Sequence, residues 1–310
     1  MRWSATLRTA TIAAVAALAA GCRSGGLPLF NLLGIDKPLV VAIGVEKLPI
    51  LSDRPIDPIV TWAQYEPFRD AMSRNLARPV ALDMTLPALI PPLLADGFYQ
   101  VAILTPAAYA KLPENTGATP LAVPLDAANR AARPALLVVP HDSQIRKIED
   151  LKSRTVAFGP DGDARAHLAA LMLLKQHGLK PTDLSLELLP IPGSLKHMPD
   201  GRAVAQTVIN GSSQAGFIDQ AAWDELAEKA SSSGEPGRDR LHVIGQTIAV
   251  PDRVVVASPK LDAQVAARVR EFLTTGIREN PKVLEGLKCS GYGAPTPEAL
   301  EACKQVANSE

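Results

Sequence analysis

The sequence predicts an α/β protein of two lobes, each a mostly parallel sheet flanked by helices, joined by two crossing strands. Three observations lead there. Apolar runs of strand length alternate with segments of helical period along most of the 310 residues, the pattern of sheets covered by helices on both faces. The length suffices for two domains of ordinary size. Two segments, LDAANRAARP after strand 120–124 and the extended 247–259, stand where the chain passes from one block to the other and back.

In the first block, residues 39–44 (LVVAIG) read as a strand and 62–77 as an amphipathic helix with Phe68, Met72 and Leu76 on one face. Strand 79–84, helix 86–96 and strand 100–104 follow. A short helix opens at Pro106, whose missing N–H costs nothing in a first turn. The polar, alanine-rich LDAANRAARP after strand 120–124 makes the first crossing. The second block carries strands near 135–139, 154–158, 184–189, 214–218 and 241–245, and helices near 163–177, 201–210 and 219–230. Gly178 takes the C-cap of the first of these helices, with Lys175 and His177 in its last turn complementing the dipole. The serine- and glycine-rich run 231–240 is a surface loop, and helix 261–278 returns to the first lobe. The expected organisation is 1–21 signal peptide, 22–37 tether, 38–125 with 252–310 as lobe 1, and 126–251 as lobe 2.

The N-terminus has its own logic. Arg2 and Arg8 precede a short apolar run, Thr9 to Ala20, and Leu18-Ala19-Ala20-Gly21-Cys22 resembles a bacterial lipobox. The run falls short of the roughly 20 residues that span a bilayer, so a cleaved signal is expected, with Cys22 lipidated and the chain exported to the periplasm or cell exterior. Cleavage removes Arg2 and Arg8 from 32 basic residues, leaving 30 against 32 acidic. That near-neutral balance offers no footprint for nucleic acid. Cys289 and Cys303 remain for a disulfide, the alternative being two free buried thiols.

Catalytic and cofactor signatures are missing. There is no GxSxG elbow, HExxH, P-loop or CxxC, and GYGAPT (291–296) does not follow a strand as a dinucleotide fingerprint must. No zinc spacing occurs. Asp161-Gly162-Asp163 is too short a run of oxygen ligands for a calcium loop. An enzyme on this fold would have only Asp163, His167 and Asp219 to draw on. The expectation is a binding protein without cofactor or resident metal.

Two segments carry a family resemblance. WAQYEPFRDAMSRNLARPVALDM with LLADGFYQVAILTPAAYAKL, and LLVVPHDSQIRKIEDLKSRTVAFGPD with AVAQTVINGSSQAGFIDQ and VPDRVVVASPKL, resemble the two lobes of the phosphate/phosphite/phosphonate-type substrate-binding proteins of ABC transporters. The resemblance implies a Venus-flytrap fold of the type II periplasmic binding class, working as a monomer. It further implies a small polar ligand, such as a phosphonate-like oxyanion, held between the lobes and delivered to ABC permease subunits. Carried over residue by residue, it points to Tyr65, Thr105, Tyr109, Asp163, Arg165 and Asp219 as ligand contacts. The chain departs from the family where that family's loop is Ser/Thr-rich and this one reads Asp161-Gly162-Asp163-Ala164-Arg165. His197 matches a family histidine only out of register. Either Asp163 is a helix N-cap, or carboxylates at the cleft have replaced anion recognition. The alternative function is therefore a ligand-sensing or interaction lipoprotein with altered or lost specificity.

Overall fold

The computed structural model describes residues 37–45, 58–187, 192–233 and 237–308. The expected signal peptide, the lipobox-like segment with Cys22 and the expected tether up to residue 36 lie outside the described residues. From Leu39 onward the chain forms one compact unit.

That unit holds two mixed sheets. The first has strand order β11-β4-β10-β3-β1-β2, with β1 Leu39–Gly44, β2 Val80–Thr85, β3 Val101–Leu104, β4 Thr119–Leu125, β10 Val254–Ala257 and β11 Gly291–Gly293. The second runs β7-β6-β8-β5-β9, with β5 Ala135–Pro140, β6 Val156–Phe158, β7 Lys196–His197, β8 Ala215–Asp219 and β9 Leu241–Gln246. Parallel pairing is confined to β2-β1-β3 and β7-β6-β8. The crossing strands and their neighbours pair antiparallel. The expectation of mostly parallel sheets thus gives way to mixed ones, because each chain passage between sheets enters its new sheet against the direction of the parallel trio.

Strand composition follows from burial on both faces. In β1, Leu39, Val41 and Ile43 pack into one core while Val40 and Ala42 face another. In β5, Ala135, Leu137 and Val139 divide from Leu136 and Val138 in the same way. Strands covered on both sides read as continuous apolar runs rather than alternating ones. Helix α1, Pro58–Leu76, closes one face of the first sheet through Phe68, Met72 and Leu76, all buried. The Phe68 ring meets Phe272 of α7 (Ala263–Thr274) at 6.1 Å between centroids. Side chains of this size contribute about 1.5–3 kcal/mol each when fully buried.

Three expected elements differ. Residues 86–96 form a 3-10 turn, Pro87–Leu89, before helix α2, Ile90–Ala95, because Pro87, Pro91 and Pro92 delay regular α bonding. The described residues of the strand expected at 184–189 do not join a sheet. Its described part closes on itself through Glu187 N donating to Ser194 O at 2.9 Å, while residues 188–191 lie outside the described residues. The edge strand is instead the two-residue β7. Helix 163–177 opens as a wide π turn, Ala164–Leu168, and continues as α4, Ala169–Gln176, ending at Gly178 with φ +74° and Leu179 N donating to Leu174 O.

The two crossings run side by side. Arg133 and Val250 form an antiparallel bridge with bonds of 3.1 and 3.0 Å, and Thr247 bonds Ala135 through both its N–H (2.9 Å) and its Oγ1 (2.8 Å). A second contact joins the lobes. Ala164, Leu168 and Ala169 pack against Ala302 and Val306 of the C-terminal helix α9, Pro297–Ala307, and against Ala107 of α3, Pro106–Ala110.

Candidate functional site

Loops open at the carboxyl ends of both parallel trios, where open α/β sheets place their ligands. In the first sheet these ends are Gly44, Thr85 and Thr105; in the second they are Gly159, Asp219 and Met198. The loop from β6 to the π turn, residues 159–163, is held from within. Gly162, at φ +78°, donates its N–H to His167 Nδ1 at 3.0 Å. Gly159 N donates to Ala166 O, and Asp163 N to Pro160 O.

Asp163 is the N-cap. Its backbone is extended (φ −61°, ψ 127°), and its Oδ1 accepts from Arg165 N at 2.9 Å and Ala166 N at 2.6 Å. A capping carboxylate satisfies N–H groups the helix cannot and offsets the positive end of its dipole. The same bonds occupy the amides that would otherwise cradle an anion. Asp219 does likewise at the start of α6, Gln220–Ser233, accepting from Ala222 N at 2.9 Å.

The π turn buries all five of its residues, Arg165 included. The Arg165 guanidinium reaches the return crossing, where one Nη donates to Asp252 Oδ1 at 2.9 Å. The other, Nη1, is buried and has no hydrogen-bond partner among the described residues. Arg133, on the outward crossing, lies close enough to Arg165 that burial and that like charge together lower its pKa against the pull of Asp252, Asp219 and Asp126. Burial pushes the Asp252 carboxyl up, yet Arg165, Arg253 and Arg133 outweigh it and hold the carboxyl below the usual range. Arg253 donates to Gly44 O at 3.2 Å, tying this cluster to the end of β1. Three guanidinium groups and the carboxylates of Asp252, Asp219 and Asp163 therefore lie within electrostatic reach of Arg165 or Asp252 at this point.

Among the sequence-expected contacts, Arg165, Asp163 and Asp219 come together. Tyr65, on α1, lies instead near Arg253 and Asp252. Burial raises its pKa, and the charges of Arg253 and Asp252 reach it. Thr105 stands at the end of β3, where its Oγ1 caps α3 by accepting from Ala108 N at 3.2 Å. Tyr109 does not join the group. One turn along α3 it faces α9 and Cys303, beside a surface groove with Lys111 and Lys304. Arg133, Asp252 and Arg253 were not read from the sequence as site residues. Their signal was position, since all three lie in the segments that cross.

The cysteine pairing is also corrected: both thiols are free. Cys289 packs at the margin of the core beneath α1, whereas Cys303 is buried against the sheet's opposite face with its Sγ donating to Ala299 O. Sitting on opposite faces of one sheet, they have no path to each other. Burial lifts Cys289 to about 11 and Cys303 to about 12, so both stay protonated.

One further group emerges only in three dimensions. Asp161 Oδ1 lies 3.5 Å from His167 Nδ1 and 3.9 Å from His197 Nε2. The two imidazole rings meet edge to face, 4.5 Å between centroids. Sequence spacing showed no such set because His197 arrives from β7, thirty residues beyond His167.

Comparison with known proteins agrees with this architecture. A family model described as ABC transporter, phosphonate, periplasmic substrate-binding protein matches residues 56–300. Among curated proteins no relative matches. Solved structures share the fold at low identity. PhnD1 from Prochlorococcus marinus, in complex with methylphosphonate, is 12% identical with TM-score 0.59, covering 88% of this chain and 97% of its own. A binding-protein component of an ABC phosphonate transporter from Pseudomonas aeruginosa is 17% identical with TM-score 0.56, covering 87% and 86%. XAC2383 from Xanthomonas citri, solved with ATP, is 18% identical with TM-score 0.61, covering 88% and 97%. With a family model spanning most of its length and a matching two-lobed fold, this chain belongs to the phosphonate-type periplasmic substrate-binding proteins of ABC transporters.

Proposed function

We propose that this protein captures a small oxyanion of the phosphonate or phosphate class between its lobes and presents it to ABC permease subunits. In this reading the chain is a monomer tethered by lipid on Cys22, and segment 126–251 closes on the remainder about the two crossings. One observation carries the ligand class: Arg165 Nη1, buried and unpartnered, at the junction of the lobes. A guanidinium with one face satisfied by Asp252 and the other lacking an acceptor is suited to a phosphonyl oxygen. Family membership and the methylphosphonate bound by the Prochlorococcus protein support the same class. The aspartates speak less strongly against it than their charge suggests, since Asp163 and Asp219 act as caps.

The second reading, a sensing or interaction lipoprotein with altered specificity, also has an observation behind it. Asp252 already pairs with Arg165, and the cluster's positive and negative groups balance. Titration calorimetry on the soluble Cys22→Ser protein separates the two. The panel holds phosphate, methylphosphonate and 2-aminoethylphosphonate beside choline and putrescine. Binding of the oxyanions supports transport of that class. Binding of the amines alone, or of none, overturns it.

A further inference from the structure

We propose that Asp161, His167 and His197 form a binding site for a zinc-class divalent transition metal. The argument starts from where the hydrogens are. His197 Nδ1 sits 2.9 Å from Gly159 O, which can only accept, so Nδ1 carries the proton and Nε2 presents its lone pair. Gly162 N–H donates to His167 Nδ1, so that nitrogen is unprotonated, and the lone pair that takes this bond is the one a metal would use. Asp161 adds a carboxylate oxygen between them, 3.5 Å from His167 Nδ1 and 3.9 Å from His197 Nε2. Three acceptors converge on one point while backbone groups hold both rings in that protonation.

One donor atom from each residue lies within 4.8 Å of the other two. Tetrahedral zinc, with bonds of about 2.0–2.2 Å, needs donors roughly 3.3–3.5 Å apart. The Asp161 distances need little contraction, which its 70% exposed side chain is free to supply, and the imidazole nitrogens approach by rotation of their rings. His167 gives up one neutral hydrogen bond from Gly162 in exchange for a metal–nitrogen bond. Two imidazoles and one carboxylate select zinc and its neighbours rather than calcium or magnesium, which take all-oxygen shells. The Gly159 carbonyl behind His197 is the partner that orients a ligating imidazole. Three protein donors leave the fourth position open to water or an exogenous oxygen. The cluster lies at the carboxyl ends of β6 and β7, with Asp161 in the loop after β6, His167 in the π turn and His197 in β7.

The test uses the Cys22→Ser protein, free of any tag and stripped with EDTA, in buffer without phosphate or phosphonate. Failure of oxyanion binding therefore has no bearing on it. Zinc binding is measured by calorimetry and by metal content after dialysis, and cobalt(II) reports coordination through its visible spectrum. One zinc per chain is expected, weakened more than about tenfold by Asp161→Asn and by His197→Ala. Cys303→Ser leaves it unchanged, and no thiolate charge-transfer band accompanies cobalt. Asp161→Asn is the decisive variant, because an exposed side chain can lose its charge without unfolding the loop. Absence of zinc binding by the parent protein overturns the proposal, and so does binding that survives both substitutions.

Discussion

Arg165→Met separates the binding role of this residue from a structural one. Two effects on stability oppose each other. The unpartnered Nη1 is a buried donor, which costs about 1–3 kcal/mol. The bond to Asp252 at 2.9 Å returns about 1.5–3 kcal/mol as a charge-assisted hydrogen bond. It falls toward the low end, because the Asp252 side chain is 47% exposed and water competes for it. Methionine, long and unbranched, fills much of the same channel. The net change is then within about 1 kcal/mol of zero, or at most about 4 °C in Tm for a domain of this size.

The ligand sees a different balance. Losing a charged hydrogen bond of about 1.5–3 kcal/mol weakens an oxyanion roughly 10- to 150-fold. Calorimetry with methylphosphonate alongside urea unfolding reads both quantities on one preparation. The expected result is stability nearly unchanged and affinity reduced by one to two decades. The reasoning is refuted if Arg165→Met unfolds several kcal/mol more easily while affinity holds. Arg165 would then be a strut between lobe and crossing, and the oxyanion assignment would lose its carrier.

Asp163→Ala removes the N-cap and should cost about 1 kcal/mol by urea midpoint, whereas Asp163→Asn, also a good cap, should cost little; equal losses would mean the charge matters beyond capping. Asp252 titrates below its unfolded value of about 3.9, so its contribution to stability is present above that pH and lost as pH falls through the lower folded value. The urea midpoint should therefore drop more steeply between pH 5 and pH 3 for the parent protein than for Asp252→Asn, and parallel curves would exclude this ion pair as a source. Thiol titration should find two free cysteines after unfolding without reductant, both slow to react when folded; finding none would restore the disulfide.

What the sequence revealed depended on how local the signal was. The face of α1 carrying Phe68, Met72 and Leu76 was legible because helical period and burial are the same fact seen twice. The capping role of Asp163 was legible too, since a cap is set within four residues. The described part of the strand expected at 184–189 failed because Glu187 turns back on Ser194. β7 was invisible because two residues carry no period. Arg133, Asp252 and Arg253 carry no local pattern at all; only the pairing of two crossings some 120 residues apart brings them to Arg165.

The loop between β6 and the π turn shows why family membership alone does not assign the ligand's contacts. Gly159 N, Gly162 N, Asp163 N, Arg165 N and Ala166 N all donate within the loop and its cap. An anion seated on those amides would have to displace the Asp163 carboxylate, which is itself an anion in the same place. At an effective dielectric of about 20, two such charges 4 Å apart repel by about 4 kcal/mol, roughly three decades of affinity. An oxyanion bound here must therefore draw its positive partner from a side chain or a metal instead of from a helix N-terminus. Arg165 Nη1 and the Asp161–His167–His197 cluster are two such sources beside this loop. They differ in a way that experiment can separate, because EDTA abolishes recognition through the metal and leaves recognition through the guanidinium intact.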